Sequence, residues 1–266
     1  MPTLLKKHQS YYRKYRRKKI IKKFLLISFL ILIVLGGAFY ILFFSPLFRL
    51  KEIEILGNEK VQEQDLRIII EQKIFKKLIF FSSKSIFWLD FQIPEKEILD
   101  NYPQIATVSF KKRFPSKIIV KIEERKKIGI FYQKTTPHLI DKEGVIFEKV
   151  EVLNSNFIVK SEKTNFNLGD KVIEKENLEK ILKIQKTLEI LEINVEYFFL
   201  PSPKTLNVKT SEGWQIYFSL VEDLDWQITK LKLSLENKIP PEKRGILEYI
   251  DVRFGNMVYP KYQGLE

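Results

Sequence analysis

Residues Phe24–Phe44, FLLISFLILIVLGGAFYILFF, form 21 positions without a charge, relieved only by Ser28, Gly36, Gly37 and Tyr40. At 1.5 Å per residue a helix of that length covers about 31 Å, close to the ~30 Å hydrocarbon thickness of a bilayer. A core helix of a soluble domain seldom runs so far without a polar position. The stretch reads as a transmembrane helix over 24–44. It occurs once, so it divides the chain into a short tail, 1–23, and a large remainder, 45–266.

The flanks orient it. Lys6, Lys7, Arg13, Lys14, Arg16, Arg17, Lys18, Lys19, Lys22 and Lys23 put ten basic residues and no acid before the apolar run. Positive charge close to a span is held on the cytoplasmic side. The expectation is a single-pass anchor with the N-terminus inside and 45–266 outside, in the plasma (inner) membrane. The rival is a cleaved signal peptide, for which Gly36-Gly37-Ala38 offers small residues. Against it, the apolar run continues through Phe44 and the basic region is long for a signal.

The formal charge of +13 suggests a nucleic-acid binder until it is divided: the first 23 residues carry +10, leaving +3 for the other 243. The basic excess belongs to the membrane flank, where it also attracts anionic lipid, and no nucleic-acid partner is expected. There is no Cys, and the two His are His8 and His138. Disulfides, thiolate chemistry and His-rich metal sites are excluded, and a Ser-His-Asp triad would depend on His138 alone. No Walker loop, GxGxxG, GxSxG or HExxH is present, so no catalytic residue, metal or cofactor is assigned.

Beyond the anchor, Ile53 and Ile55 alternate with Glu52 and Glu54 as in a half-buried strand, closed by Gly57-Asn58. Leu66, Ile69, Ile70, Lys73 and Ile74 follow at helical spacing. Phe75–Phe91 is an aromatic-rich loop with Phe80, Phe81, Phe87 and Trp88, read as folding back on a small core rather than as a binding surface. A short helix with Pro94 in its first turn carries Ile98, Leu99 and Tyr102. Strand Ile105–Phe110, a basic turn Lys111–Ser116 and strand Lys117–Arg125 complete a β-α-α-β-β order. Its buried set should include Ile53, Ile55, Leu66, Ile70, Ile98, Val108, Ile118, Val120 and Ile122.

A second domain starts near Lys126. Strand Ile128–Gln133 leads to His138–Asp141, a turn at Lys142-Glu143-Gly144 and strand Val145–Phe147. Asp141 reads as a turn cap rather than a catalytic acid. Glu174–Glu192 presents Leu178, Ile181, Leu182, Gln185, Leu188 and Leu191 as an amphipathic helix. Asn194–Leu200, Thr205–Thr210 and Trp214–Leu220 read as strands. Asp223–Glu236 carries Leu224, Ile228, Leu231 and Leu235 on one stripe. A final strand, Ile246–Phe254, leads through Gly255-Asn256 into Met257-Val258-Tyr259, with Pro260 ending regular structure.

Five stretches carry a resemblance: LKEIEILGNEKV, SIFWLDFQIPEKEIL, FKKRFPSKIIVKIEER, HLIDKEGVIFEK and GILEYIDVRFGNMVYPKY. In that order behind one N-terminal span, they resemble the bacterial division family FtsQ, called DivIB in Gram-positive organisms. The resemblance implies an α+β fold: basic tail 1–23, transmembrane helix 24–44, POTRA domain 45–125, a mixed α/β domain 126–260 ending in an exposed strand edge, and a tail 261–266. It implies a non-enzymatic septal scaffold whose outer domain binds FtsB/DivIC-like and FtsL-like membrane proteins, while the POTRA domain assists recruitment. By family position the partner-binding residues would be Phe254, Gly255, Asn256, Met257, Val258 and Tyr259, with Tyr249 and Arg253 nearby. Tyr259 stands in the region where some members carry Trp. The competing class is a membrane-anchored peptidoglycan-binding or wall-processing protein. It would explain the basic Lys111-Lys112-Arg113 stretch but needs convergent acids or a His that the sequence does not offer. Barrel chaperoning by POTRA units would need several repeats, and one is read here.

Overall fold

The computed structural model describes residues 3–75, 84–151, 155–163 and 165–264. It groups into two compact units, Met1–Gly57 with Gln62–Glu97 and Ser109–Lys121, and Asn58–Val61 with Ile98–Val108 and Ile122–Glu266.

Helix α1 runs unbroken over Thr3–Phe44. No Gly or Pro falls between Thr3 and Leu35, so nothing separates the basic tail from the apolar part. Ile20–Phe44, 25 residues of mean hydropathy 2.8 with no buried position, is the one helix among the described residues long and apolar enough to cross a membrane. The helix stops where Ser45 Oγ accepts from the Leu47 amide at 3.2 Å and Pro46 opens a 3₁₀ turn.

Strand β1 (Glu52–Leu56), helix α2 (Glu63–Lys73), helix α3 (Gln92–Asn101), strand β2 (Ile105–Arg113) and strand β3 (Lys117–Glu124) follow in the order read from the sequence. The sheet order is β1-β3-β2, with β1 parallel to β3 and Ile53 opposite Ile118. All nine residues expected in this core are buried. Phe87 packs on Phe43, Phe48 and Phe114 at 5.3–5.7 Å between ring centroids, and Trp88 on Phe43 at 5.1 Å. These two aromatics are half-buried and pack on other aromatic side chains, while Phe80 and Phe81 lie outside the described residues. One reading needs correction. Lys111, Lys112 and Arg113 are not a turn but the end of β2. Phe110 stacks on Phe91 at 4.9 Å and Lys112 Nζ sits 5.4 Å from that ring, so side-chain packing prolongs the strand beyond its apolar residues.

The remaining strands are β4 (Lys127–Gln133), β5 (Thr136–Asp141), β6 (Ile146–Lys149), β7 (Ile158–Ser161), β8 (Val195–Ser202), β9 (Thr205–Thr210), β10 (Gln215–Ser219), β11 (Leu247–Asp251) and β12 (Tyr259–Tyr262). They form one mixed sheet, ordered β12-β11-β10-β9-β8-β7-β4-β5-β6. Parallel neighbours cannot be joined by a tight turn. Accordingly helix α4 (Lys175–Ile190) connects β7 to β8, and helix α5 (Leu224–Asn237), followed by the short helix α6 (Pro241–Arg244), connects β10 to β11.

Register shows why the sheet holds. Phe131, Val159, Phe198, Val208, Ile216 and Ile250 lie opposite one another across six strands. Every one of them is buried, in one cluster with Leu178, Ile181, Ile184 and Leu188 of α4 and Leu224, Ile228, Leu231 and Leu235 of α5. The α5 stripe is the one read from the sequence. On α4 the third of four buried positions is Ile184 rather than the expected Gln185, which reaches Glu189 at 3.1 Å.

Candidate partner-binding edge

The nine-stranded sheet ends on β12, whose exposed residues Tyr259, Pro260 and Lys261 have no strand beyond them among the described residues. Tyr259 lies opposite Asp251, Pro260 opposite Ile250 and Lys261 opposite Tyr249. The Gln263 amide donates inward to the Ile246 carbonyl at 2.7 Å. Strand alternation then turns the 261 and 259 amides inward as well. The outer side keeps the Tyr262 amide and the carbonyls of 260 and 262, and Pro260 has no amide to add.

Two expectations change here. Pro260 does not end regular structure but sits within β12, at the one place a sheet accepts proline, an edge strand. The final strand expected over Ile246–Phe254 stops at Asp251, and 252–258 is a connection. The cause is on α5. Lys230, only 5% exposed, donates Nζ to the carbonyls of Val252 (2.8 Å), Phe254 (3.2 Å) and Gly255 (2.8 Å). Carbonyls gathered onto one ammonium cannot point alternately to two sides as a strand requires. Gly255 completes the bend with φ +42°. Burial pushes the Lys230 ammonium below its ordinary value, against the opposing pull of Asp251.

The eight residues expected to bind a partner are gathered around this connection. Phe254, Met257 and Tyr259 are 58%, 59% and 51% exposed. Gly255 and Asn256 form the exposed turn, and Val258 packs half-buried against the core. Arg253 grips Asp251 through Nε to Oδ1 at 2.9 Å and Nη2 to Oδ2 at 2.6 Å. Its guanidinium also lies 5.1 Å from the Phe254 ring and 5.3 Å from Tyr217. Those hydrogen bonds to Asp251, opposed by burial, hold Arg253 above its usual pKa. Tyr249 stacks on Tyr217 at 4.9 Å, and Lys261 pairs with Glu248 at 3.1 Å. Burial, then the neighbouring Tyr249 and Glu248, push the Tyr217 phenol up.

Sequence reasoning did not pick out Lys230, Asp251, Tyr217 or Tyr262. One signal for the first was available: Gln227, Lys230 and Ser234 recur at i, i+3 and i+7 beside the apolar stripe, and all three are buried. Gln227 holds both backbone groups of Ser219, accepting from its amide at 2.8 Å and donating to its carbonyl at 2.9 Å. A buried polar seam on α5 thus secures the end of β10 and the exit from β11.

His138 and Asp141 are not joined. His138 Nδ1 lies 3.1 Å from the Thr136 carbonyl. Asp141 caps its turn as read, accepting from the Glu143 and Val145 amides at 3.0 and 2.9 Å, and it also pairs with Arg125 at 2.6 Å. Among the described residues no group of three or more His, Asp or Glu is placed to hold a metal ion.

An apolar helix followed by a β-α-α-β-β unit and a sheet-rich domain defines a class, and comparison gives that class its name. Residues 48–125 match the POTRA domain, FtsQ-type. Over 232 residues the chain is 27% identical to the cell division protein DivIB of Clostridium tetani, covering 82% of this chain and 81% of that protein. It is 23% identical over 224 residues to the cell division protein DivIB of Clostridium acetobutylicum, covering 82% and 85%. The chain thus carries a POTRA domain of the FtsQ type and, over about four fifths of its length, is similar to cell division proteins named DivIB.

Proposed function

We propose that the protein is a non-enzymatic scaffold of the division septum. Its helix, placed at 24–44 by the sequence and extending over Ile20–Phe44, would hold it by a single pass, with the basic tail inside and the two following domains, 45–125 and 126–260, outside. The POTRA domain assists recruitment, and the second domain binds FtsB/DivIC-like and FtsL-like membrane proteins. One observation carries this reading: a sheet edge that nothing among the described residues covers, beside three large exposed apolar residues, Phe254, Met257 and Tyr259. An incoming strand finds the Tyr262 amide and the carbonyls of 260 and 262, and the neighbouring side chains set specificity. Anchoring both partners in one membrane raises their effective concentration.

The test is binding of the full chain, in detergent or nanodiscs, to its own organism's DivIC-like protein. Phe254→Ala and Tyr259→Ala should each weaken binding roughly 30-fold, the weight of an anchor worth about 2 kcal/mol, with an unchanged melting temperature. Truncation after Arg253 should abolish binding and leave the POTRA domain folded. Wild-type affinity in the truncated protein would overturn the reading.

A further inference from the structure

We infer that Lys230 is a positioning residue for partner recognition: from beneath the sheet edge, its ammonium fixes the 252–258 connection in the shape that presents Phe254 and Met257. The inference rests on the edge being the binding surface, but its core claim concerns the free protein.

Lys230 belongs to α5 and is enclosed, yet it donates to three carbonyls on one short segment, those of Val252, Phe254 and Gly255. Three donors on a rotatable ammonium match three carbonyls. Among the described residues no other side chain hydrogen-bonds the carbonyls of that segment from below. Val252 keeps an amide bond to the Tyr217 carbonyl at 3.1 Å, and Arg253 closes on Asp251 from the outer side. Residues 254–257 are exposed, and among their side chains the Phe254 ring meets the Arg253 guanidinium at 5.1 Å on the outer side. Without the ammonium the carbonyls would be free to alternate, and the chain could continue β11 as an extended strand, as its sequence suggests. Phe254 and Met257 would then be displayed as a varying set of conformers, and binding would carry the cost of ordering them.

A lysine that merely fills space is distinguishable from one that shapes this segment. Lys230→Met keeps length and apolar bulk and removes charge and donors. Hydrogen exchange of the full-length protein in detergent should show the Val252 and Arg253 amides, which donate to the Tyr217 carbonyl and the Asp251 carboxylate, exchanging roughly tenfold faster or more, about the equilibrium weight of one charge-assisted hydrogen bond. Amides of α4 should keep wild-type rates. Affinity for the DivIC-like partner should fall, and the further loss caused by Phe254→Ala should shrink in the Lys230→Met background, since that ring is no longer held in place. Unchanged exchange at Val252 and Arg253 overturns the inference. So does a uniform rise at every amide, which would mark Lys230 as an ordinary core residue. If Lys230→Met does not accumulate folded, Lys230→Gln, which retains an amide donor, is measured the same way. Exchange is read without any partner. Absence of binding by the wild-type chain would therefore defeat the functional reading while the exchange result still decides the role of Lys230.

Discussion

The two edges of the nine-stranded sheet are treated in opposite ways. At one end, the start of β6 is covered by its own chain. The Ile146 amide donates to the Asp170 carbonyl at 3.1 Å, its carbonyl accepts from the Gly169 amide at 2.7 Å, and Val145 bridges to Lys171. Gly144 allows the close approach: its φ is +80°, and a Cβ there would overlap the Ile173 carbonyl oxygen. At the other end nothing among the described residues covers β12. Open strand edges invite unwanted pairing, and proteins blunt them with charge, proline or a cover. Here the cover is placed at one end only, and the open end carries Pro260 and Lys261. An edge that is blunted but left uncovered fits selective pairing better than mere tolerance.

The largest effect expected from breaking this asymmetry is at the closed end. Asp141 is almost fully enclosed, holds the turn into β6 through two backbone amides, and neutralises Arg125. Asp141→Ala leaves a largely buried guanidinium without its partner, which typically costs ~3–5 kcal/mol. The melting temperature should fall by roughly 6–20 °C. Partner affinity, measured at a temperature where the variant remains folded, should stay at the wild-type value, because the open edge lies seven strands away in the sheet order. Loss of affinity in a folded Asp141→Ala protein would show that the two edges are coupled.

At the open end the effect should appear in association rather than stability. Pro260→Val restores the missing outward amide and raises strand propensity at an exposed position. The full-length protein in detergent should then self-associate at concentrations where the wild type is monodisperse, while stability changes by about 0.5 kcal/mol or less. Analytical ultracentrifugation reads the difference. An unchanged sedimentation profile would mean that Pro260 does not guard the edge.

The contrast also marks what the sequence could disclose. Local alternation and helical stripes revealed the nine buried residues of the small domain, from Ile53 to Ile122, and the four leucine and isoleucine positions of α5. They did not reveal β7, because Ile158–Ser161 is a four-residue strand with parallel neighbours on both sides and too short to show a period. Neither edge was legible in detail. The closed one depends on Ile146 meeting Gly169 and Asp170, and on Arg125 meeting Asp141, and no local pattern encodes such meetings. The open one was located to within a few residues, yet its strand was placed too early. Alternation in LEYIDVRF continues past Asp251, while the bend is imposed by Lys230, 22 residues away.

The smallest expected effect concerns a surface charge beside the closed edge. Glu148 of β6 pairs with Lys60 at 2.8 Å, an exposed bridge of the kind that contributes little by itself. Lys60 is set in place by Glu124, whose carboxylate gathers the amides of Glu59, Lys60 and Val61 at 2.8–3.1 Å. Partial burial pushes the Glu124 carboxyl up, but the three amides together outweigh it, so its pKa is held below the ordinary 4.5. A depressed carboxyl stabilises the fold fully above its unfolded value and loses that contribution as pH falls through its folded one. Glu124→Gln should therefore be slightly less stable than wild type at neutral pH, and the gap should close as the solution is acidified below 4.5. Lys60→Ala, which leaves the three amide bonds in place and removes only the weaker pull of the Lys60 charge, should show a smaller convergence. Thermal melts of the three proteins across that range decide the matter. A gap that persists at about pH 2, where carboxyls are protonated, would mean that Glu124 acts through packing and that charge contributes nothing to the closed edge.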